Sequence, residues 1–202
     1  MAKSPAIVCK PPTPGRWDDF CAVMGPNGGY CGCWCMYWRA PRADFAGPAR
    51  KRLKNRMRAI VEKGPPPGII AYRGGEPVGW TQVGPRGATQ NWNGARRLSA
   101  PLDTADADDP AVWGVTCFVV PRAHRGTGVA TALLAGAVDY ARRKKARALE
   151  ACPVETWPVE AGEKANPVSI FHGVASMFAR AGFREIARRR DDRPLMRLDL
   201  SK

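Results

Sequence analysis

The stretch Val112-Trp113-Gly114-Val115-Thr116-Cys117-Phe118-Val119-Val120-Pro121, followed after three residues by Arg125-Gly126-Thr127-Gly128-Val129-Ala130, decides the fold. Its first half is dense in β-branched and aromatic residues and reads as a strand, closed by Pro121. Beyond the glycines, Ala130, Leu133, Leu134, Ala137, Val138 and Ala141 recur at helical spacing. A strand, a glycine turn and a helix start bring several free backbone N–H groups around one point, and the positive end of the helix dipole reinforces them. Gly126 and Gly128 remove side chains that would keep an anion from the backbone, while Arg125 adds a permanent positive charge at the rim. A glycine loop alone would be an ordinary tight turn; the strand before it and the helix after it make it a phosphate cradle. The run has neither the Gly-Lys-Ser/Thr of a Walker loop nor the Gly-x-Gly-x-x-Gly of a dinucleotide fingerprint, which speaks against ATP and NAD.

These residues resemble motif A of the GNAT superfamily of acyl-coenzyme A transferases, whose pattern is Arg/Gln-x-x-Gly-x-Gly/Ala. Arg125, Gly128 and Ala130 fill its defined positions, preceded by Val119-x-Pro121. The likeness extends more loosely from Gly68 to Lys202, through the Ala181-Gly182-Phe183 turn, and before Gly68 it is one of general organisation. The resemblance implies a single α/β domain over residues 1–202, with a mixed, mostly antiparallel sheet flanked by helices and splayed at the cofactor site. Residues 1–67 would supply N-terminal helices and the acceptor side, and residues 68–202 the sheet and coenzyme A-binding core. The implied reaction is transfer of an acetyl group from acetyl-coenzyme A to a primary amine. The pantetheine arm would lie along Cys117, Phe118 and Val119, with the pyrophosphate on Arg125, Gly126, Thr127, Gly128, Val129, Ala130 and Thr131.

The chain has 202 residues, 45% hydrophobic and 25% charged, an ordinary globular make-up with length for one sizeable core. No apolar run approaches a membrane span, and Met1-Ala2-Lys3-Ser4-Pro5 lacks the apolar centre of a signal peptide, so a cytoplasmic protein is expected. Lys and Arg number 32 against 18 Asp and Glu, a net charge of +14 that favours acidic partners, coenzyme A among them. The excess is spread over Arg50-Lys51-Arg52, Arg142-Arg143-Lys144-Lys145 and Arg188-Arg189-Arg190, each at an expected element end. No recognition motif accompanies the charge, which argues against specific nucleic-acid binding. A homodimer is left open.

In chain order, Ala6 to Lys10 reads as a first strand and Pro14 to Val23 as a helix with Trp17, Phe20 and Cys21 on one side. Gly25-Pro26-Asn27-Gly28-Gly29 stops it. A basic helix follows from Asp44 to Lys63, with Leu53, Met57, Ile60 and Val61 as its apolar side. Gly68–Arg73 and Pro77–Val83 form a hairpin around Gly74-Gly75-Glu76. From Gly84 to Pro110 the pattern lapses into a solvated loop whose acidic run, Asp103 to Asp109, could alternatively attract a cationic amine. Ala148 to Glu155 reads as a strand placed parallel by its helical crossover. The Trp157–Pro167 loop then leads to a helix from Ser169 to Ala181, and Arg184–Arg190 and Pro194–Leu200 close the sheet.

Between the first two helices lies Tyr30-Cys31-Gly32-Cys33-Trp34-Cys35-Met36-Tyr37-Trp38-Arg39. Its alternate cysteines lack the paired spacing and histidine partners of a zinc site, and a reducing compartment argues against a disulfide, so no metal is expected. Cys9 or Cys21 could join them only through tertiary folding, and His124 and His172 lie far off in sequence. Core packing suits cysteine and tryptophan. In the resembling superfamily, however, this segment borders the acceptor pocket, which would place Trp34, Cys35, Tyr37 and Trp38 against a small-molecule amine.

The resemblance also implies a tyrosine as acid for the departing thiolate, four residues before the final Gly-Phe glycine; here that residue is Phe178. A thiol of reference pKa about 8.5 can take its proton from water, and Tyr37 is a substitute donor. Glu155 is the first candidate for the base that the attacking amine needs, with Glu150 and His172 behind it. The missing tyrosine motivates an alternative, a non-catalytic acyl-coenzyme A binding or sensing module, and the charge a further one, a basic nucleic-acid binder.

Overall fold

Near-continuous burial along the interior strands gives the sheet two buried faces, and helices cover both. The computed structural model describes residues 5–155 and 170–200. Its strands are β1 (Ile7–Lys10), β2 (Gly68–Arg73), β3 (Glu76–Pro85), β4 (Val112–Val119), β5 (Ala148–Ala151), β6 (Arg184–Arg188) and β7 (Pro194–Asp199). They form one sheet in the order β1-β2-β3-β4-β5-β7-β6. Every pairing is antiparallel except β4 with β5, which the crossover helix α3 (Val129–Arg143) makes parallel. The mixed, mostly antiparallel α/β architecture read from the sequence is the one observed.

Ile69 and Ala71 of β2 face a core shared with α3 and α4 (Ala175–Arg180), whereas Ile70 and Tyr72 face α1 (Trp17–Met24) and α2 (Leu53–Lys63). Leu133, Leu134, Ala137, Val138 and Ala141 are buried as the stripe of α3, which begins at Val129 and leaves Ala130 half-buried. The start of α3 lies close on β3, where a Cβ on Gly79 would come within 2.6 Å of Val129. A side chain there would lift the helix start from the sheet.

In β4 the ladder has one residue too many. Gln82 of β3 pairs with Cys117 and Val83 with Val115, so Thr116 is the extra residue of a bulge. The bulge reverses the alternation: Val115 and Phe118 both lie in the α3-side core, and Cys117 turns to the α1/α2 side. On its other edge β4 pairs with β5 only as far as Val115 opposite Ala151. Residues Thr116 to Val119 continue alone on that side, and this is the splay of the sheet.

Several boundaries differ from expectation for local reasons. Strand β5 ends at Ala151 instead of Glu155, because Pro153 has no N–H for a ladder, and Val154 makes only an isolated parallel bridge with Val174. Helix α2 starts at Leu53 and not at Asp44; Gly47, at φ +52°, and Pro48 divide the preceding residues into the 3-10 turns Arg42–Phe45 and Gly47–Arg52. The helix expected from Ser169 is interrupted by Gly173 at φ +79°, giving a 3-10 turn at Ile170–His172 and the short α4. The loop expected over 157–167 and the position of Ser169 lie outside the described residues. Among the described residues no helix is long and apolar enough to cross a membrane.

The largest correction concerns residues 84–110, which are not a simple solvated loop. Arg86 is fully buried: it donates to Asn93 Oδ1 (3.1 Å) and the Ser99 carbonyl (2.6 Å), pairs with Glu150, and lies 4.3 Å from the Trp92 ring centre. Glu150 also pairs with Arg197 at 2.9 Å, and Arg197 reaches Asp106 at 2.8 Å. Arg147 bridges Asp106 (2.9 Å) and Asp109 (2.7 Å). Asp106 and Asp109 of the acidic run, and Glu150, are bound by the chain's own arginines, which leaves Asp103 and Asp108 as the exposed acids of the run and withdraws Glu150's candidacy as base.

Glu150→Ala should therefore leave Arg86 buried without its anion and cost about 3–5 kcal/mol of folding free energy. Chemical denaturation measures it; a cost below about 1 kcal/mol would show that the buried pair does not anchor this loop.

Candidate functional site

Helix α3 begins without a side-chain cap. Its N-cap is Gly128, at φ +84° and ψ 0°, a conformation glycine adopts at no steric cost. The Gly128 carbonyl accepts from the Ala132 N–H at 3.0 Å, and the N–H groups of Val129, Ala130 and Thr131 precede the first intrahelical bond. Gly126 is also left-handed, at φ +73°, and a Cβ on either glycine would meet no atom within 4 Å, so approach from outside is open.

The turn is fixed by its own bonds. Thr127 Oγ1 donates to the His124 carbonyl (2.7 Å) and accepts from Arg73 (3.1 Å), which also donates to the Thr127 carbonyl (2.7 Å). Arg125 folds back to donate to the Val120 carbonyl at 3.0 Å. Arg73, at the end of β2, brings a second guanidinium to the turn. No sequence signal pointed to it, because the contact arises from the β2–β3–β4 pairing. Val129 is buried and offers only its backbone, while Arg125, Gly126, Thr127, Gly128 and Thr131 are exposed.

Along the splayed edge, the Thr116 carbonyl accepts from Trp38 Nε1 at 3.2 Å and its hydroxyl donates to Gln82 Oε1 at 2.7 Å. Gln82 Nε2 donates to the Cys35 carbonyl at 2.8 Å, and Trp80 Nε1 donates to Cys35 Sγ at 3.2 Å. These bonds hold a strained segment in place: Cys31 (φ +52°), Trp34 (+46°) and Cys35 (+57°) are non-glycine residues in the left-handed region.

The four residues expected at the acceptor separate into two groups. Trp34 stands 6.3 Å from the Phe20 ring with Lys54 over its face at 4.8 Å, and Cys35 is buried beside Cys117, so both pack on the α1/α2 side. Tyr37 and Trp38 join Phe45, Phe171 and His172 in an aromatic cluster beside Thr116 of β4. Tyr37 lies 4.6 Å from Trp38, 6.0 Å from Phe45 and 6.1 Å from Phe171; Trp38 lies 5.6 Å from His172. Trp38 is buried and Tyr37 exposed. Of the residues expected along the cofactor arm, Cys117 and Phe118 are buried and Val119 half-buried, with the Cys117 carbonyl taken by Thr81 at 3.0 Å.

The ionisable groups divide by environment. Burial, then the charge of Arg193, pushes the His172 imidazole down to about 3 against an opposing hydrogen bond with the Thr116 backbone, leaving it neutral near pH 7. Burial alone would raise the Cys35 thiol, but hydrogen bonds with Cys117 and Trp80 hold it below its usual value, while Cys117 is pushed up. Glu155 is paired with Arg188 at 3.1 Å. Phe178 is fully buried with edge contacts to Phe118 (6.1 Å) and Phe183 (5.1 Å), so it is a core residue of the α3 side. Cys31 is exposed, Cys33 half-buried and Cys35 buried, and among the described residues no set of three or more His, Cys, Asp or Glu is placed to hold a metal ion. An open cavity of about 410 Å³, lined by Met36, Arg39, Arg56, Ile60 and Ala88 among others, shares no residue with the cradle or the aromatic cluster.

A family model of the acetyltransferase (GNAT) family matches residues 33–159. No curated protein matches the chain. Among solved structures, the chain is similar to a GCN5-related N-acetyltransferase from Kribbella flavida, at 16% identity over 96% of this chain and 98% of that one, with a TM-score of 0.54. It is also similar to a ribosomal-protein-alanine N-acetyltransferase from Brucella melitensis, at 20% identity over 96% and 99% of the two chains and a TM-score of 0.50. An N-acetyltransferase, PaiA, from Thermoplasma acidophilum in complex with coenzyme A aligns at 8% identity over 96% and 99%, also with a TM-score of 0.50. At these identities the likeness is one of fold.

His172 generates a pH prediction. The unfolded imidazole takes a proton near 6.5 and the folded one only near 3, so between these values the unfolded state binds more protons and stability falls as pH falls. Thermal midpoints measured from about pH 7 to about pH 5 should decline, and His172→Gln should reduce that slope. An unchanged slope would mean that His172 titrates normally in the fold.

Proposed function

We propose that this chain, which belongs to the acetyltransferase (GNAT) family, transfers the acetyl group of acetyl-coenzyme A to a primary amine of a small molecule. The observation carrying this reading is the succession of two features on β4 and α3. From Thr116 to Val119 the strand has no β5 partner, and the turn beyond it ends in the uncapped N-terminus at Gly128. A diphosphate ester with an amide-containing arm fits that pair, the anion at the helix start and the amides along the strand. The coenzyme A in the Thermoplasma structure of the same fold agrees with this reading.

In this proposal the N–H groups of Val129, Ala130 and Thr131, with Arg125, Arg73 and the open sides of Gly126 and Gly128, hold the phosphates. Cys117, Phe118 and Val119 hold the arm through their backbone. The bound thioester supplies an acyl carbon already activated for attack. Tyr37, Trp38, Phe171 and His172 form a wall that limits water and orients the acceptor. Glu155, held by Arg188, receives the amine proton through water, and the exposed Tyr37 hydroxyl or solvent returns one to the thiolate. Phe178 takes no part in proton transfer. A non-catalytic binding or sensing module is the second reading, favoured by the apolar burial of Phe178 at the position where the family resemblance implies the acid.

Gly128→Val would force a branched residue into φ +84° and cover the cradle, so coenzyme A affinity should fall by roughly 100-fold or more, with the far-UV circular dichroism unchanged. Tight binding by the folded variant would remove the cradle from the site. Thiol release from acetyl-coenzyme A should depend on added amine, and Phe178→Leu should keep a measurable part of it. Binding of acetyl-coenzyme A without turnover on any amine would favour the sensing reading.

A further inference from the structure

We propose that Arg193 binds a carboxylate of the acceptor, so that the amine this chain acetylates also carries a carboxylate, as a free amino acid does. The inference rests on the acetyltransferase reading above and specifies its substrate class. It starts from an unmatched charge in the turn between β6 and β7. There Arg188 is bound by Glu185 and Glu155, Arg189 donates to the Leu98 and Ala100 carbonyls, and Arg190 takes both oxygens of Asp192. Arg193 is only 8% exposed, yet among the described residues its side chain makes no hydrogen bond and its buried Nε has no partner. The carboxylate oxygen near it, Asp192 Oδ2, is 3.9 Å away and already accepts from Arg190 at 3.0 Å.

Burial of a guanidinium without an anion is unfavourable. Arg86 shows how this chain treats a structural one: fully buried, it has a carboxylate and two further acceptors. Arg193 has nothing equivalent, and its position accounts for the difference. Ala151 of β5 pairs with Met196, and the Glu155 N–H donates to the Asp192 carbonyl at 2.9 Å. Arg193 therefore lies beside the Cys152–Glu155 segment that follows β5 and bounds the gap opening where β4 parts from β5. Its charge acts on Cys152 and His172, and His172 stands beside Trp38, which is bonded to Thr116. The cation thus stands on the β5/β7 side of the splay, next to the aromatic cluster, whereas Gly126 and Gly128 follow β4 on the other side. A planar guanidinium with free N–H groups there suits the two oxygens of a carboxylate.

The test uses the purified full chain, acetyl-coenzyme A, and matched acceptors: the common amino acids and their carboxamides. For the preferred acceptor, the free acid should exceed its carboxamide in kcat/KM on the order of 100-fold. Arg193→Gln should abolish that preference, chiefly through KM, with the carboxamide rate kept, and Arg193→Lys should retain part of it. Equal rates within every pair, a preference for carboxamides, or an equal loss on both in Arg193→Gln would overturn the proposal. If no acceptor turns over, the reaction itself is in question, and thermal shift with the same pairs in the presence of coenzyme A decides the site. Stabilisation by free acids only, lost in Arg193→Gln, upholds it; an equal response or none overturns it. Without ligand, Arg193→Met should keep or raise the thermal midpoint, since it breaks no hydrogen bond; a marked fall would assign Arg193 to the scaffold instead.

Discussion

One extra residue in a ladder, Thr116, is the constraint on which the rest of the site depends. It turns Cys117 toward Cys35 and Phe118 toward Phe178, and both arms of its side chain and carbonyl are used across the sheet. The hydroxyl reaches Gln82, which holds the Cys35 carbonyl, and the Thr116 carbonyl holds Trp38. The strained residues Trp34 and Cys35 are thereby fastened to the strand edge they must accompany. Left-handed backbone at non-glycine residues costs of order 1–3 kcal/mol each, and it persists where surrounding bonds over-determine it. Below the bulge β4 is an ordinary interior strand. Above it, one edge has no strand partner and leads to the glycine turn.

Charge is distributed by the same geometry. The net +14 gives the impression of a uniformly basic surface, but several arginines are internal fasteners. Arg86, Arg197 and Arg147 tie residues 86–109 to β5 and β7 through Glu150, Asp106 and Asp109. Those acids serve the scaffold. Arg73 and Arg125 stand at the turn before α3, and Arg193 stands across the gap on the β5/β7 side. The proposed site is therefore flanked by cations on both the β4 and the β7 side.

The sequence by itself determined what depends on neighbours along the chain. Gly126 and Gly128 between a β-branched run and an apolar stripe specify strand, turn and helix, because φ freedom and side-chain periodicity are local properties. The hairpin around Gly74 and Gly75, the parallel placement of β5 and the two closing strands were legible for the same reason. Only the tertiary structure decided the register. The bulge at Thr116 adds no motif to the sequence, yet it sets which face Cys117 joins and where β4 loses its partner. Likewise the spacing of Trp34, Cys35, Tyr37 and Trp38 put them together on paper, whereas left-handed φ at Trp34 and Cys35 sends the first pair into packing and the second to the aromatic cluster. Arg73 and Arg193 were beyond reach of any spacing argument, since whether an arginine is paired depends on atoms brought near by strand pairing, and that is a property of the fold rather than of the chain.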